Sequence, residues 1–250
     1  PFAPLIPSRV CPPFSPVWPF LPVFGLLLCI IILACPCPAR SAQAQPSVVG
    51  LAVQNRESLR LGSAFYVHPN ILATSFELID GAHAVTAFVG ERQIGIDFLF
   101  GYDRTRHLAF LYMPTPGDPF PIGEDTFQPQ SKVQALGYAQ HASHEKRDLF
   151  LQSWKRLQGV WHLVLRGEIP AGLRGGPVLD SRNQVVGLLR FNPGMEYTHR
   201  VLAVDASELN VLLEEALDAC VFTPIAEFGQ QSKSGLRLQS QGKELVITDQ

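Results

Sequence analysis

Hydrolysis by a side-chain nucleophile needs a hydroxyl or thiol, a base beside it, and a group that orients the base. The candidates in this chain are few. Of its five cysteines, Cys11, Cys29, Cys35 and Cys37 lie in the first 44 residues, and Cys220 stands alone near the end. A single cysteine forms no internal disulfide and no C-x-x-C metal pair. Cys220 follows a helical stretch, so it reads as a small, semi-buried apolar residue rather than a nucleophile. Glu77, His83 and His107 are metal-type donors, but no ligand spacing joins them, and neither a metal nor a cofactor is expected. His141 and His144 sit in the polar run AQHASHEKRD and are expected in solvent; His162 and His199 are isolated near strands and read as structural.

Those residues must be positioned by a folded body. Hydrophobic residues make up 46% of the chain and charged residues 17%, enough to bury a sizeable core. The first 44 residues hold Arg9 and Arg40 and no acid, so the remainder carries 18 basic and 22 acidic residues. A weakly acidic body of this kind has no electrostatic footprint for nucleic acid. Phe20–Ala34 reads FLPVFGLLLCIIILA, the length of a signal-peptide core and short for a membrane span. Ala42-Gln43-Ala44 supplies the small-x-small cleavage pattern. The expectation is a signal peptide over 1–44 and a secreted or periplasmic protein. An uncleaved anchor, with Val17 and Trp18 extending the apolar stretch, is the alternative. Ile32-Leu33-Ala34-Cys35 fits a lipoprotein signal poorly because of Leu33 and Pro36.

From Pro46 the pattern turns to strands: Ser47–Gln54, Leu59–Val67, Ile71–Ser75, Val85–Val89, Gln93–Phe98 and Leu108–Met113, with one helical turn at Glu77–Gly81. Pro114, Pro116, Pro119, Pro121 and Pro129 then exclude a strand and mark a connection. A second series runs through Lys132–Tyr138, Asp148–Trp154, Val160–Leu165, Val178–Asp180, Val185–Phe191 and Arg200–Val204. Ala206–Ala219 carries a helical stripe of Leu209, Leu212, Leu213 and Leu217, with Asp205 or Ser207 as cap. The segment 220–250 is a tail holding the polar stretch GQQSKSG and one hairpin, Leu236–Gln239 with Leu245–Thr248.

Three segments carry a resemblance. Gly62-Ser63-Ala64-Phe65-Tyr66-Val67 followed by Ile71-Leu72-Ala73-Thr74-Ser75-Phe76-Glu77-Leu78-Ile79-Asp80-Gly81-Ala82 resembles the opening of trypsin-like serine proteases of the bacterial HtrA type. Gly101-Tyr102-Asp103-Arg104-Thr105-Arg106-His107-Leu108-Ala109-Phe110-Leu111 resembles their G-x-D-x-x-x-D-L-A-L-L. Gly172-Leu173-Arg174-Gly175-Gly176-Pro177-Val178-Leu179-Asp180, then Val185-Val186-Gly187-Leu188, resembles G-N-S-G-G-P-L-x-D and V-V-G-I. The resemblance spans about 47–217 and implies an all-β fold. Two six-stranded β-barrels, about 46–113 and 131–205, would have a cleft between them, and the helix 206–219 would close a domain over 45–219. No PDZ module is recognisable after the helix.

The resemblance also assigns roles. Glu77 falls at the histidine position, His107 at the aspartate position and Arg174 at the serine position. Gly172, Leu173 and Gly175 fall in the loop whose backbone N–H groups bind the oxyanion. Gly187, Leu188, Leu189 and Arg190 fall on a strand edge to which peptide substrates add. An arginine has no nucleophilic atom, a histidine cannot orient by negative charge, and no catalytic residue is expected. His83, Asp103 and Ser181 are the nearest replacements and lie too far along the chain for ~3 Å contacts. The expectation is therefore a pseudoprotease that binds a peptide or protein partner in the cleft, with Arg174 reaching across to Glu77 while His107 bonds Glu77 from behind. An active serine endopeptidase with a rearranged triad, or a structural or regulatory partner of an active protease, are the alternatives.

Overall fold

The computed structural model describes residues 47–56, 58–123, 128–139, 143–190, 200–234, 237–241 and 244–248. The leader, the cysteines within it, His141 and His199 lie outside the described residues. Residues 44–250 form one compact unit.

The first sheet holds β1 (Val48–Gln54), β2 (Leu59–His68), β3 (Ile71–Ser75), β4 (Ala84–Val89), β5 (Arg92–Ile96), β6 (Phe98–Asp103) and β7 (Leu108–Tyr112). A short β14 (Thr223–Pro224) joins it, and the order is β14-β6-β7-β3-β2-β1-β4-β5. The second unit is a closed barrel of β8 (Lys132–Ala139), β9 (Ser143–Leu157), β10 (Val160–Arg166), β11 (Pro177–Leu179), β12 (Val185–Leu189) and β13 (Arg200–Asp205), in the order β10-β13-β12-β11-β8-β9. The proline-rich connection supplies no strand among its described residues, only one isolated bridge from Ile122 to Val185.

The unbroken apolar runs of the central strands follow from burial on both faces. Successive strand residues point to opposite sides. Thus Leu72 of β3 enters the core of the first sheet, while Ile71 and Ala73 enter a second core between the two units. Ala109 and Leu111 of β7 divide from Leu108 and Phe110 in the same way. The interbarrel core also receives Leu179, Val185, Leu188 and Val204, and Leu209, Leu212, Leu213 and Ala216 from α2 (Ala206–Ala219). A third core, with Leu163, Leu165, Val178 and Leu189, fills the closed barrel.

Helix α2 matches its expected bounds. Asp205 caps it, accepting from the Ser207 N–H at 2.9 Å. Its stripe differs in one place: Ala216 is buried, and Leu217 is 40% exposed. Cys220 ends the helix in left-handed backbone, φ 48°, and is exposed rather than semi-buried. That position lies beyond the helix's buried face.

The first unit departs from a six-stranded barrel. The run expected as Gln93–Phe98 breaks at Asp97 into β5 and β6, because the Asp97 carbonyl turns to accept the Ile225 N–H at 2.9 Å. Residues from the expected tail complete this sheet. β14 pairs with β6, and α3 (Ile225–Ser234) sends buried Ile225 and Phe228 into the first core. Phe228 packs edge-on against Phe76 and Tyr102 at ring separations of 6.2 and 5.2 Å. The hairpin is β15 (Arg237–Gln241) with β16 (Glu244–Thr248).

Candidate active-site cleft

Glu77 lies in α1 (Phe76–Ile79), the single turn that follows β3. Ser75 precedes it but makes no side-chain cap; its hydroxyl donates instead to Glu77 Oε2 at 2.5 Å. His107 ends the β6–β7 turn. Asp103 shapes that turn by accepting the N–H groups of Thr105 and Arg106 at 2.7 and 3.0 Å. The turn leaves His107 in left-handed backbone, φ 62°. Its carbonyl takes the Phe76 N–H at 3.0 Å, and its Nδ1 contacts Glu77 Oε1. The expected Glu77–His107 contact is therefore present.

The guanidinium that meets Glu77 is Arg190's, where Arg174's was expected. Arg190 follows β12, and its Nη2 donates to Glu77 Oε1 at 3.0 Å. The same nitrogen lies 3.2 Å from His107 Nδ1. The physical reason is placement. Arg190 leaves the end of a barrel strand directed at the first sheet, whereas Arg174 is 94% buried and its backbone carbonyl is fixed to the Ser63 N–H at 2.8 Å. Burial pushes the Glu77 carboxyl up, but hydrogen bonds from His107 and Ser75 and the charge of His107 outweigh it and hold the group below its ordinary value.

His162 of β10 joins this cluster, which its reading as an isolated structural residue did not anticipate. It is fully buried, with Nδ1 3.0 Å from the Val160 carbonyl and Nε2 3.5 Å from Arg190 Nη1. Its ring meets that of His107 edge-on at 6.0 Å. The sequence held a signal for it. Val160 and His162 alternate on the face opposite Leu163 and Leu165, so that face of β10 had to lie against something other than the barrel interior.

The loop expected to bind an oxyanion is built as a 3-10 turn over Ala171–Leu173. The Leu173 N–H donates to the Pro170 carbonyl at 3.1 Å, Arg174 to Ala171 at 3.2 Å and Gly175 to Leu189 at 2.8 Å. The Gly172 carbonyl accepts the Ser63 hydroxyl at 2.7 Å, and the same oxygen of Ser63 accepts the Tyr138 N–H at 2.8 Å. The loop is thus stapled to the first sheet with three successive N–H groups engaged inside the protein. The two glycines that follow are required by space. Gly175 has φ 83°, and a Cβ on Gly176 would lie 2.1 Å from the Leu136 carbonyl oxygen.

The strand expected as a free peptide edge is not free. Gly187 and Leu188 pair with β11 on one side, and Gly187, Leu188 and Leu189 pair with β13 on the other. The Arg190 N–H donates to the Leu202 carbonyl at 3.0 Å. Barrel closure consumes both sides of β12, so this set of residues offers no ladder to a peptide. The replacement triad is dispersed as well. His83 is exposed before β4, Ser181 is exposed in the β11–β12 turn, and Asp103 is bonded to Arg106 at 3.1 Å. Among the described residues there is no group of three or more metal-type donors placed to hold an ion. Ser75, the hydroxyl in contact with Glu77, is fully buried and cannot meet a substrate.

No protein-family model matches the chain. It is 26% identical over 163 residues to the serine protease Rv3671c of Mycobacterium tuberculosis, covering 59% of this chain and 41% of that protein. It is also 26% identical over 157 residues to the anti-sigma-I factor RsgI9 of Acetivibrio thermocellus, covering 61% of this chain and 22% of that protein. The chain thus spans less than half the length of the curated relatives it matches. The crystal structure of the active form of the Rv3671c protease superposes with a TM-score of 0.63 at 22% identity, over 83% of this chain and 94% of that one. The HtrA-type protease AlgW gives 0.61 at 18% identity, over 70% and 61%. The fold is the two-barrel fold of trypsin-like serine proteases.

Proposed function

We propose that this chain is a catalytically inactive homologue of trypsin-like serine proteases, exported after removal of residues 1–44, that acts by binding a peptide or protein in the cleft between its two units. The observation that carries the reading is the turn at 171–175. An arginine stands where the resemblance puts the nucleophile, and its own N–H is bonded to the Ala171 carbonyl. Acyl transfer needs both a nucleophile and free N–H donors aimed at the developing oxyanion. The base position argues the same way. Glu77 already accepts from Ser75 and Arg190 and contacts His107. An endopeptidase with a rearranged triad is disfavoured by the separate placement of His83, Asp103 and Ser181. A regulatory role has its own support, because one sequence relative is an anti-sigma-I factor.

The test is direct. The full chain should show no casein cleavage and no labelling by a serine-directed fluorophosphonate. Arg174→Ser should stay silent too, since members of a triad are not restored singly. Labelling of any serine in the unmodified protein would sink the proposal. Binding in the cleft is read by a photoreactive residue at exposed Ala171, which should crosslink a co-purifying polypeptide. Crosslinks arising only from surfaces remote from 171 would move the binding site elsewhere.

A further inference from the structure

One bonded chain of side chains crosses from the first sheet to the second barrel: Ser75, Glu77 and His107 on one side, Arg190 and His162 on the other. The inactive-protease reading uses only its first half. The second half has a protonation logic of its own.

His162 Nδ1 faces the Val160 carbonyl, which only accepts, so Nδ1 carries a hydrogen. In the neutral ring Nε2 is then an acceptor. It faces Arg190 Nη1, which only donates. The neutral ring therefore satisfies both of its neighbours. One added proton turns Nε2 into a donor pointed at a donor, and sets a second cation beside a permanent one. On the other side of the guanidinium, Nη2 meets Glu77 Oε1 at 3.0 Å and His107 Nδ1 at 3.2 Å. Arg190 Nε is buried without a hydrogen-bond partner, so the two Nη atoms carry the link.

We propose that His162 is an acid-operated release for Arg190: protonation of the ring drives the guanidinium from Glu77 and uncouples the two halves of the cleft.

The groups around His162 decide where that release falls. Across β9 its partner is Lys155, which is exposed. Across β13 its partner is Val204, and the adjacent Asp205 commits Oδ1 to Ser207. From α2, Glu208 is the carboxylate on that side; one oxygen takes the Trp161 N–H at 3.0 Å and the other lies 3.4 Å from Arg106 Nε. Arg190 faces it from the end of β12, and His107 from the first sheet. Burial pushes the His162 pKa below its ordinary 6.5; Arg190 and His107 push the same way, against the Val160 carbonyl and Glu208. Between its folded value and 6.5 the folded state binds fewer protons than the unfolded chain, so stability rises with pH there and is lost on acidification. The link is intact at neutral pH and released in acid. His144, whose ring is desolvated in part against Tyr138 and so also held below its ordinary value, lies outside this chain of contacts and serves as the control.

The experiment is a double-mutant cycle of Glu77→Gln and Arg190→Met in the full chain, by urea unfolding at pH 7.5 and at pH 5. The coupling between the two sites should be present at pH 7.5 and lost at pH 5. In a His162→Gln background, which keeps an uncharged acceptor near Nε2, it should survive at pH 5; His144→Gln should change nothing. Equal coupling at both pH values, or its loss at pH 5 in His162→Gln as well, would overturn the proposal. Should a cycle variant not fold, hydrogen exchange of the unmodified chain decides. Residues 75–79 and 188–190 should lose protection at pH 5 relative to His162→Gln, after correction for intrinsic rates, and unchanged protection would count equally against the release.

Discussion

Glu77 is a carboxylate whose negative charge is solicited from three directions, by Ser75, His107 and Arg190. Glu77→Gln removes that charge and should cost about 2 kcal/mol at neutral pH, the scale of hydrogen bonds to charged groups. The sign of its pH dependence follows from the lowered pKa. The share that Ser75 and His107 contribute is fully present above 4.5 and is lost as pH falls through the lower folded value, while the Arg190 share goes earlier, with the protonation of His162. Urea midpoints of the two proteins should therefore differ at pH 7 and converge in strong acid; a difference independent of pH would contradict it. The Glu77–His107 contact was legible in the sequence, because both residues sit at fixed places in quoted motifs. The choice between Arg174 and Arg190 was not. Closure of the second barrel decides which guanidinium faces Glu77, and chain spacing does not record it. His162 was missed for the same reason: a lone histidine in a strand reveals its face but not what covers that face.

Strands announced themselves through short β-branched and aromatic runs between turn residues, and α2 through its leucine spacing and its aspartate cap. Helix α3 did not, because IAEFGQQSKS has only Ile225 and Phe228 as apolar anchors. Its conformation is set by the core it enters rather than by propensity. Strand β6 was hidden in a motif read for its loop. The tertiary origin of α3 has a measurable corollary. Phe228 is 98% buried among Phe76, Tyr102 and Ile225. Phe228→Ala should cost about 3–5 kcal/mol, the range for removing a buried aromatic ring. Urea unfolding checks it. A loss under about 1 kcal/mol would mean that α3 is an ornament on the first sheet and not part of its core.

At the scale of the molecule the two halves are made differently. The second closes on itself, each of its six strands having a paired neighbour on both sides. The first is an open succession ending in β14 and β5, with a helix from the far end of the chain completing its core. Both halves share an apolar interface fed by opposite faces of the same strands. That arrangement explains why the interface strands lack polar alternation; the expectation of two six-stranded barrels came from the family resemblance. The asymmetry also bears on colloidal behaviour. Among the described residues β5 pairs only with β4, so its outer backbone groups are a template for strand addition between molecules. In the closed barrel every strand has a neighbour on both sides. Arg92 and Gln93 guard one end of β5 with exposed polar side chains, while Gly95 toward the other end is exposed with nothing within 4 Å of where a Cβ would stand. The least protected stretch of this surface is therefore also the one with room for a lysine, and crowding of the protein in solution will be felt there before anywhere on the barrel.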